Sequence, residues 1–174
     1  VPDEQLSKTF GVIGSAPYGG GTGLVVGLQY CNGLWALSGT TGYETNFTGI
    51  SVEWSGEPNN YTFEGDLCGS DNWEYICSID PERTKEAAIN YPIFHYANTY
   101  GVTAGLEGTE YEIGWYVPSI AELYAVHTNM TTIQTSMNAV GGSAVGYSEY
   151  WSSSQSSSSY DYAYRLYFAS GRVY

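Results

Sequence analysis

Helical patterning in this sequence is confined to the stretch from Asp80 to Gly141, and everything on either side reads as strands and turns. In DPERTKEAAINYPIFHYANTYG, Asp80 stands as an N-cap and Pro81 at the first helical position, where its missing N–H has no helical partner to lose. Ala87, Ala88, Phe94 and Ala97 follow at roughly helical spacing. Pro92 removes a donor and predicts a kink or break, and Gly101 predicts a stop. The clearest local signal is VPSIAELYAVHTN. Ser119 and Glu122 form an S-x-x-E capping box, and Ile120, Leu123, Tyr124 and His127 fall on one helical face. A third, short helix is expected over TTIQTSMNAVGG, capped by Thr131 or Thr132 and stopped at Gly141.

Residues 1–78 show no clean helical period. A Gly-rich turn in APYGGGTGLVVGLQY precedes a short apolar run, Leu24 to Leu28, and GLWALSGTTGYETNFTGISVEW sets β-branched and aromatic residues between glycine turns. The order is strands, helix, helix, short helix, strand, with no fixed repeat. That order predicts an α+β plan of mixed short strands and two main helices around one core. A length of 174 residues suits a single domain spanning 1–174. The chain has neither an initiator Met nor a signal peptide, so it is expected to be truncated at its N-terminal end.

Charge narrows the partners. Only Lys8, Arg83, Lys85, Arg165 and Arg172 are basic, and the formal net charge is −13, which repels nucleic acid and anionic membrane surfaces. No apolar run approaches the length of a membrane-spanning helix. The three cysteines, Cys31, Cys68 and Cys77, have no metal-ligand spacing. Cys68 and Cys77 can pair in an oxidising compartment, or all three can be buried thiols.

No catalytic pattern emerges. His95 and His127 lie on expected helices without a Cys, Ser or carboxylate at catalytic spacing. There is no G-x-S-x-G elbow, phosphate loop or dinucleotide fingerprint, so no cofactor is expected. Asp66, Asp71 and Asp80 do not follow a calcium-loop pattern and read as solvated loop carboxylates. WSGEPNN is sharper. Glu57-Pro58-Asn59 looks like the EPN triplet of calcium-dependent C-type lectins, whose Glu and Asn oxygens hold calcium and sugar hydroxyls together. In those lectins, however, the triplet follows both helices, and here it precedes every helical signal. A Pro-Asn-Asn turn is the plain alternative.

The C-terminal stretch is the most informative. Tyr150 to Tyr174 holds eight Ser and six Tyr in 25 residues. Its serine run resembles a flexible linker, but Leu166 and Phe168 then alternate with Arg165, Tyr167 and Ala169, which predicts a strand with one buried and one exposed face. Trp151 also calls for burial. The exposed residues are Tyr, Ser, Asp and Arg, the vocabulary of antibody contact loops. Tyr offers rigid amphipathic area, Ser and Gly adapt hydrogen bonds around it, and Arg adds charge-assisted contacts.

GWYVPSIAEL, then YWSSSQ, then AYRLYFASG resemble a bacterial branch of the C-type-lectin-like fold related to formylglycine-generating enzyme. GSDNWEYICSIDPERTKEAAINYPIFHY is similar to treponemal members of that branch. The likeness covers about residues 65–174. Within the branch, the C-terminus resembles the variable region of proteins diversified by retroelements. The resemblance implies a non-enzymatic display protein, lipid-anchored at the cell surface by an N-terminal group outside this chain, that binds a macromolecular ligand, protein or glycan. It implies a scaffold role for YWSSSQ, Ala163, Leu166, Phe168 and Gly171. It implies display at Ser156, Ser157, Ser159, Tyr160, Asp161, Tyr162, Tyr167, Ala169, Arg172 and Tyr174, within a variable region of about 150–174. The oxidase cysteine pair of formylglycine-generating enzymes is not matched, because no cysteine follows Cys77. Members of the variable branch usually continue with a further strand, so the chain is also expected to be clipped at Tyr174. Two other readings accompany this one: a calcium-dependent lectin using Glu57 and Asn59, and a catalytically inert envelope protein whose C-terminal face packs against another domain.

Overall fold

A computed structural model describes residues 7–9, 11–15, 23–143, 145–158 and 163–174. The strands among them are β1 (Ser7–Thr9), β2 (Val12–Ser15), β3 (Gly23–Val26), β4 (Cys31–Gly33), β5 (Ser51–Glu57), β6 (Asn60–Gly65), β7 (Glu149–Ser156), β8 (Ala163–Tyr167) and β9 (Arg172–Val173). The α-helices are α1 (Thr41–Glu44), α2 (Asn72–Ile79), α3 (Pro81–Thr84), α4 (Ala87–Asn90), α5 (Pro92–Asn98), α6 (Tyr100–Thr103), α7 (Ile120–Thr128) and α8 (Met130–Ala139).

The fold is mixed α and β. Seven strands form one mixed sheet in the order β4-β1-β7-β5-β6, with β8 added to β7 and β9 to β8, while β2 and β3 form a separate hairpin. β7 is the axis. Tyr150 is paired on one side with Lys8 of β1 (parallel) and on the other with Leu166 of β8 (antiparallel). Gln155 is paired likewise with Ser51 of β5 (parallel) and Ala163 of β8 (antiparallel). Strands from both ends of the chain therefore meet on one C-terminal strand.

Successive β7 residues feed opposite faces, as strand geometry requires. Tyr150 joins Leu166, Phe168, Ile120 and Leu123 in one core cluster, and Trp151 joins Trp35, Phe47, Ile76 and Phe94 in the other. Leu166 and Phe168 are buried, Arg165 and Tyr167 are half-buried and Ala169 is exposed, so burial alternates as expected but the outer face is fully at the surface only at Ala169.

The helices depart from the expected pair. Between Asp80 and Thr103 the chain makes four short helices, α3 to α6. Glu86 and Tyr91 interrupt them with non-helical backbone, and Pro92 opens α5 at its first position. Asp80 does stand before Pro81, but its side chain does not cap α3. It is buried, and its Oδ2 accepts from the Thr41 N–H at 2.9 Å and the Tyr91 hydroxyl at 2.7 Å. Gly101 does not stop a helix; it lies inside α6, where an added Cβ would sit 1.9 Å from the Glu112 carbonyl oxygen. That glycine serves close backbone approach.

α2 and α1 lie in a stretch that shows no helical period, because α2 buries only Asn72 and Ile76 and α1 is a single turn. α7 is capped as its sequence predicts, with both halves of the Ser119–Glu122 box formed. α8 begins earlier than expected, with Thr131 and Thr132 inside the first turn and Asn129 at the cap position, where its side chain does not cap α8 but donates back to the Ala125 carbonyl at 2.9 Å. Its end is a Schellman turn. Gly141 has φ 72°, and the Gly142 N–H reaches the Met137 carbonyl at 2.9 Å.

Candidate functional site

The serine run is no linker. Ser152, Ser153, Ser154 and Gln155 are each 0% exposed. Buried polar groups persist only when hydrogen-bonded, and these are. The Ser152 hydroxyl donates to the Tyr164 carbonyl at 2.9 Å. The Ser153 hydroxyl accepts from the Asn72 amide at 2.8 Å, and that of Ser154 accepts from the Ile120 N–H at 3.0 Å. The Gln155 side chain accepts from the Phe47 N–H at 2.6 Å and donates to the Gly42 carbonyl at 3.0 Å. One strand thus ties down β8, α2, the start of α7 and the loop from α1 to β5.

Glu122 provides a second buried tie. Its Oε2 accepts from the Ser119 and Gly69 N–H groups at 2.8 and 2.9 Å, and its Oε1 from the Tyr116 hydroxyl at 2.9 Å. Burial pushes its pKa above the usual glutamate value, and those donors oppose the rise. Gly69 has no room for a side chain, since a Cβ would lie 2.5 Å from the Val117 carbonyl oxygen.

On this platform the display positions fall into separate groups. Ser157 is exposed just beyond β7, with its hydroxyl donating to Glu53 Oε1 at 2.9 Å. Ser159, Tyr160, Asp161 and Tyr162 lie outside the described residues. Tyr167 is half-buried at the far end of β8, paired with Arg172 of β9. Ala169 and Arg172 are exposed, and the Arg172 guanidinium lies 5.3 Å from the centre of the Tyr174 ring, itself 46% exposed. Gly171, with φ 68°, turns the chain between these residues. Ser157 and the Tyr167–Tyr174 group stand at opposite ends of the β7–β8 ladder, which runs from Gln155↔Ala163 to Glu149↔Tyr167.

Ser156 corrects the expected exposed face. It is only 5% exposed, because β7 continues to it and pairs it with Val52, so the solvent-facing surface begins at Ser157.

The Glu57-Pro58-Asn59 triplet sits at the tip of the β5–β6 hairpin. Glu57 pairs with Asn60, Asn59 has φ 70°, and no peptide bond among the described residues is cis. Asn59 Oδ1 lies 3.4 Å from His127 Nε2. His127 is half-buried against Phe168, and burial lowers its pKa. His95 is exposed. The three aspartates do not converge, and Asp66 and Asp80 are not the solvated carboxylates expected: Asp80 is buried, and burial pushes the pKa of Asp66 up. Among the described residues no group of three or more His, Cys, Asp or Glu could hold a metal ion. The three cysteines are free thiols, and burial pushes that of Cys31 up to about 11.

Sequence reasoning missed an open cleft of about 410 Å³ lined by Glu53, Trp54, Ser157, Ser158 and Tyr164. A second, of about 240 Å³, shares Glu53 and Trp54 and adds Ser55, Thr62 and Glu64. The alternation of β5 and β6 was the available signal, since it puts Glu53, Ser55, Thr62 and Glu64 on one sheet face. Among the described residues no helix is long and apolar enough to cross a membrane. Comparison of the chain with known protein families, characterised proteins and solved structures gives no match.

Proposed function

We propose that this chain is a ligand-binding display module, a C-type-lectin-like domain of the branch related to formylglycine-generating enzyme, with the variable C-terminal region of retroelement-diversified proteins. The module performs no catalysis. It stands at the cell surface on an N-terminal lipid outside this chain and binds a macromolecule, protein or glycan. The observation that carries the reading is the contrast within one short segment. Trp151 to Ser156 are buried and hydrogen-bonded across the fold, whereas Ser157, Ala169, Arg172 and Tyr174 are exposed on the elements they anchor. A surface that must accept many side chains needs a frame that does not depend on them, and β7 supplies one.

The test is a library randomised at Ser157, Ser159, Tyr160, Asp161, Tyr162, Tyr167, Ala169, Arg172 and Tyr174 and selected for binding to surface proteins and glycans. Folded clones with altered ligand preference support the reading. A library in which most clones fail to fold, or differences among sibling genes that avoid residues 157–174, sinks it.

A further inference from the structure

We propose that the open edge of β5 is a docking site for an extended, basic peptide segment of a partner protein. This inference rests on the display reading, whose face adjoins the edge at Ser157.

Among the described residues β5 has two neighbours only at its start. Its pairing with β7 ends at Val52↔Ser156, while its pairing with β6 continues to Glu57↔Asn60. The Val52 carbonyl takes the Ser157 N–H at 3.3 Å and the Tyr164 hydroxyl at 3.2 Å, and there the ladder to β7 closes. Backbone groups of alternate strand residues point to alternate sides. Those of Trp54, two residues beyond Val52, therefore face the side that β7 has left. Among the described residues no backbone hydrogen bond reaches this edge beyond Val52. The cleft of about 410 Å³ opens there. An unpaired strand edge is a template for an added strand.

Charge selects the occupant. Glu53 and Glu64 are directly opposed across β5 and β6, an arrangement that destabilises a sheet unless a cation neutralises it. Both are exposed, and the ion pairs among the described residues, Lys85–Glu82 and Arg165–Glu149, leave them uncompensated. Both line the smaller cleft beside the open edge, and the chain as a whole carries a net charge of −13. A strand laid along β5 would turn alternate side chains to the face that carries this pair, so a lysine or arginine there reaches Glu53 and, across it, Glu64. Acidic residues also protect edges from self-pairing. Against another copy of this acidic chain they repel, and against a basic segment they attract.

The experiment uses the full chain and a fluorescein-labelled peptide of alternating Lys and Val, with two controls: a Glu/Val peptide and the Lys/Val peptide N-methylated at alternate residues. Fluorescence anisotropy should show saturable binding of the Lys/Val peptide, weakened by salt, and none of the Glu/Val peptide. Glu53→Gln combined with Glu64→Gln should weaken binding about tenfold without lowering the melting temperature, because it removes a repulsive pair. N-methylation should abolish binding. No binding of the Lys/Val peptide, or unchanged affinity of the double variant, overturns the proposal. Unchanged affinity of the N-methylated peptide also overturns it, by reducing the contact to charge alone. Any of these failures leaves the display reading to its own library experiment, which scores folding and selection at other positions.

Discussion

The indole N–H of Trp35 donates to the carbonyl of Ser152 at 2.9 Å, across 117 residues of chain, and the Trp151 indole returns the bond to the Gly33 carbonyl at 3.0 Å. The exchange staples the segment after β4 to the middle of β7. It also explains why a buried strand is made of serines. Between Trp151 and Gln155 the side chains are chosen for the buried polar groups they satisfy, mostly backbone but in the case of Ser153 the Asn72 amide, and short hydroxyls let α2, α7 and β5 approach closely. A polar strand of this kind has one register in which its bonds close, so it specifies the fold as well as filling it.

Gln155→Leu tests that view. The substitution conserves bulk but strips partners from the Phe47 N–H and the Gly42 carbonyl, both buried. Leaving two buried backbone groups unsatisfied should destabilise the domain by about 2–5 kcal/mol. Urea unfolding read by tryptophan fluorescence should show a lower midpoint with an unchanged slope. A midpoint within error of the parent would mean that water replaces the amide at no cost.

Gly101→Ala separates two roles for a helical glycine. Where space is open, alanine stabilises a helix by about 0.5–1 kcal/mol. Here the new Cβ would meet the Glu112 carbonyl oxygen at 1.9 Å and its carbon at 2.5 Å, both backbone atoms. The expected result is destabilisation by about 1–3 kcal/mol, seen as a lower melting temperature. A rise would show that the α6–Glu112 contact is loose.

What the sequence disclosed follows from how local each cause is. The capping box of α7 and the glycine end of α8 are set by residues a few positions apart, and both are visible in the string. The alternation from Leu166 to Ala169 is equally local. Gly101 and Asp80 misled because their partners, Glu112 and the Thr41–Tyr91 pair, come from elsewhere in the chain. The same reason hid the larger cleft, whose walls come from β5, β8 and the residues just beyond β7. Ser156 was expected at the surface because composition marks no boundary between the buried and exposed halves of the serine run. That boundary is drawn by β5, which pairs with Ser156 and then parts from β7.

Glu122 should impart an unusual pH slope. Burial, the dominant influence, raises its pKa in the folded state above the ordinary glutamate value of 4.5. A group that holds its proton more tightly when folded contributes most below its unfolded pKa, and that contribution is lost as pH rises through the folded value. Relative to Glu122→Gln, the parent should therefore lose stability as pH climbs from about 4.5 toward neutrality. Chemical denaturation of both proteins across that window measures the difference. If the parent instead gains on the variant with rising pH, the hydrogen bonds from Ser119, Gly69 and Tyr116 outweigh desolvation, and the folded state favours the carboxylate.

The division between frame and face also predicts how substitutions distribute. Ser157→Tyr, Ala169→Tyr, Arg172→Ser and Tyr174→Asn together alter four exposed side chains and none of the bonds that β7 makes to α2, α7 or the α1–β5 loop. Surface changes of this kind each shift stability by less than about 0.5 kcal/mol, so the combined variant should unfold within about 2 kcal/mol of the parent. Ser153→Val alone should do more harm, because it leaves the Asn72 amide, itself buried, without its acceptor at 2.8 Å. Thermal melts of the two variants side by side decide the matter. A four-site variant that melts well below the single one would mean that the exposed residues hold the fold together, and a surface with that duty cannot be free to vary.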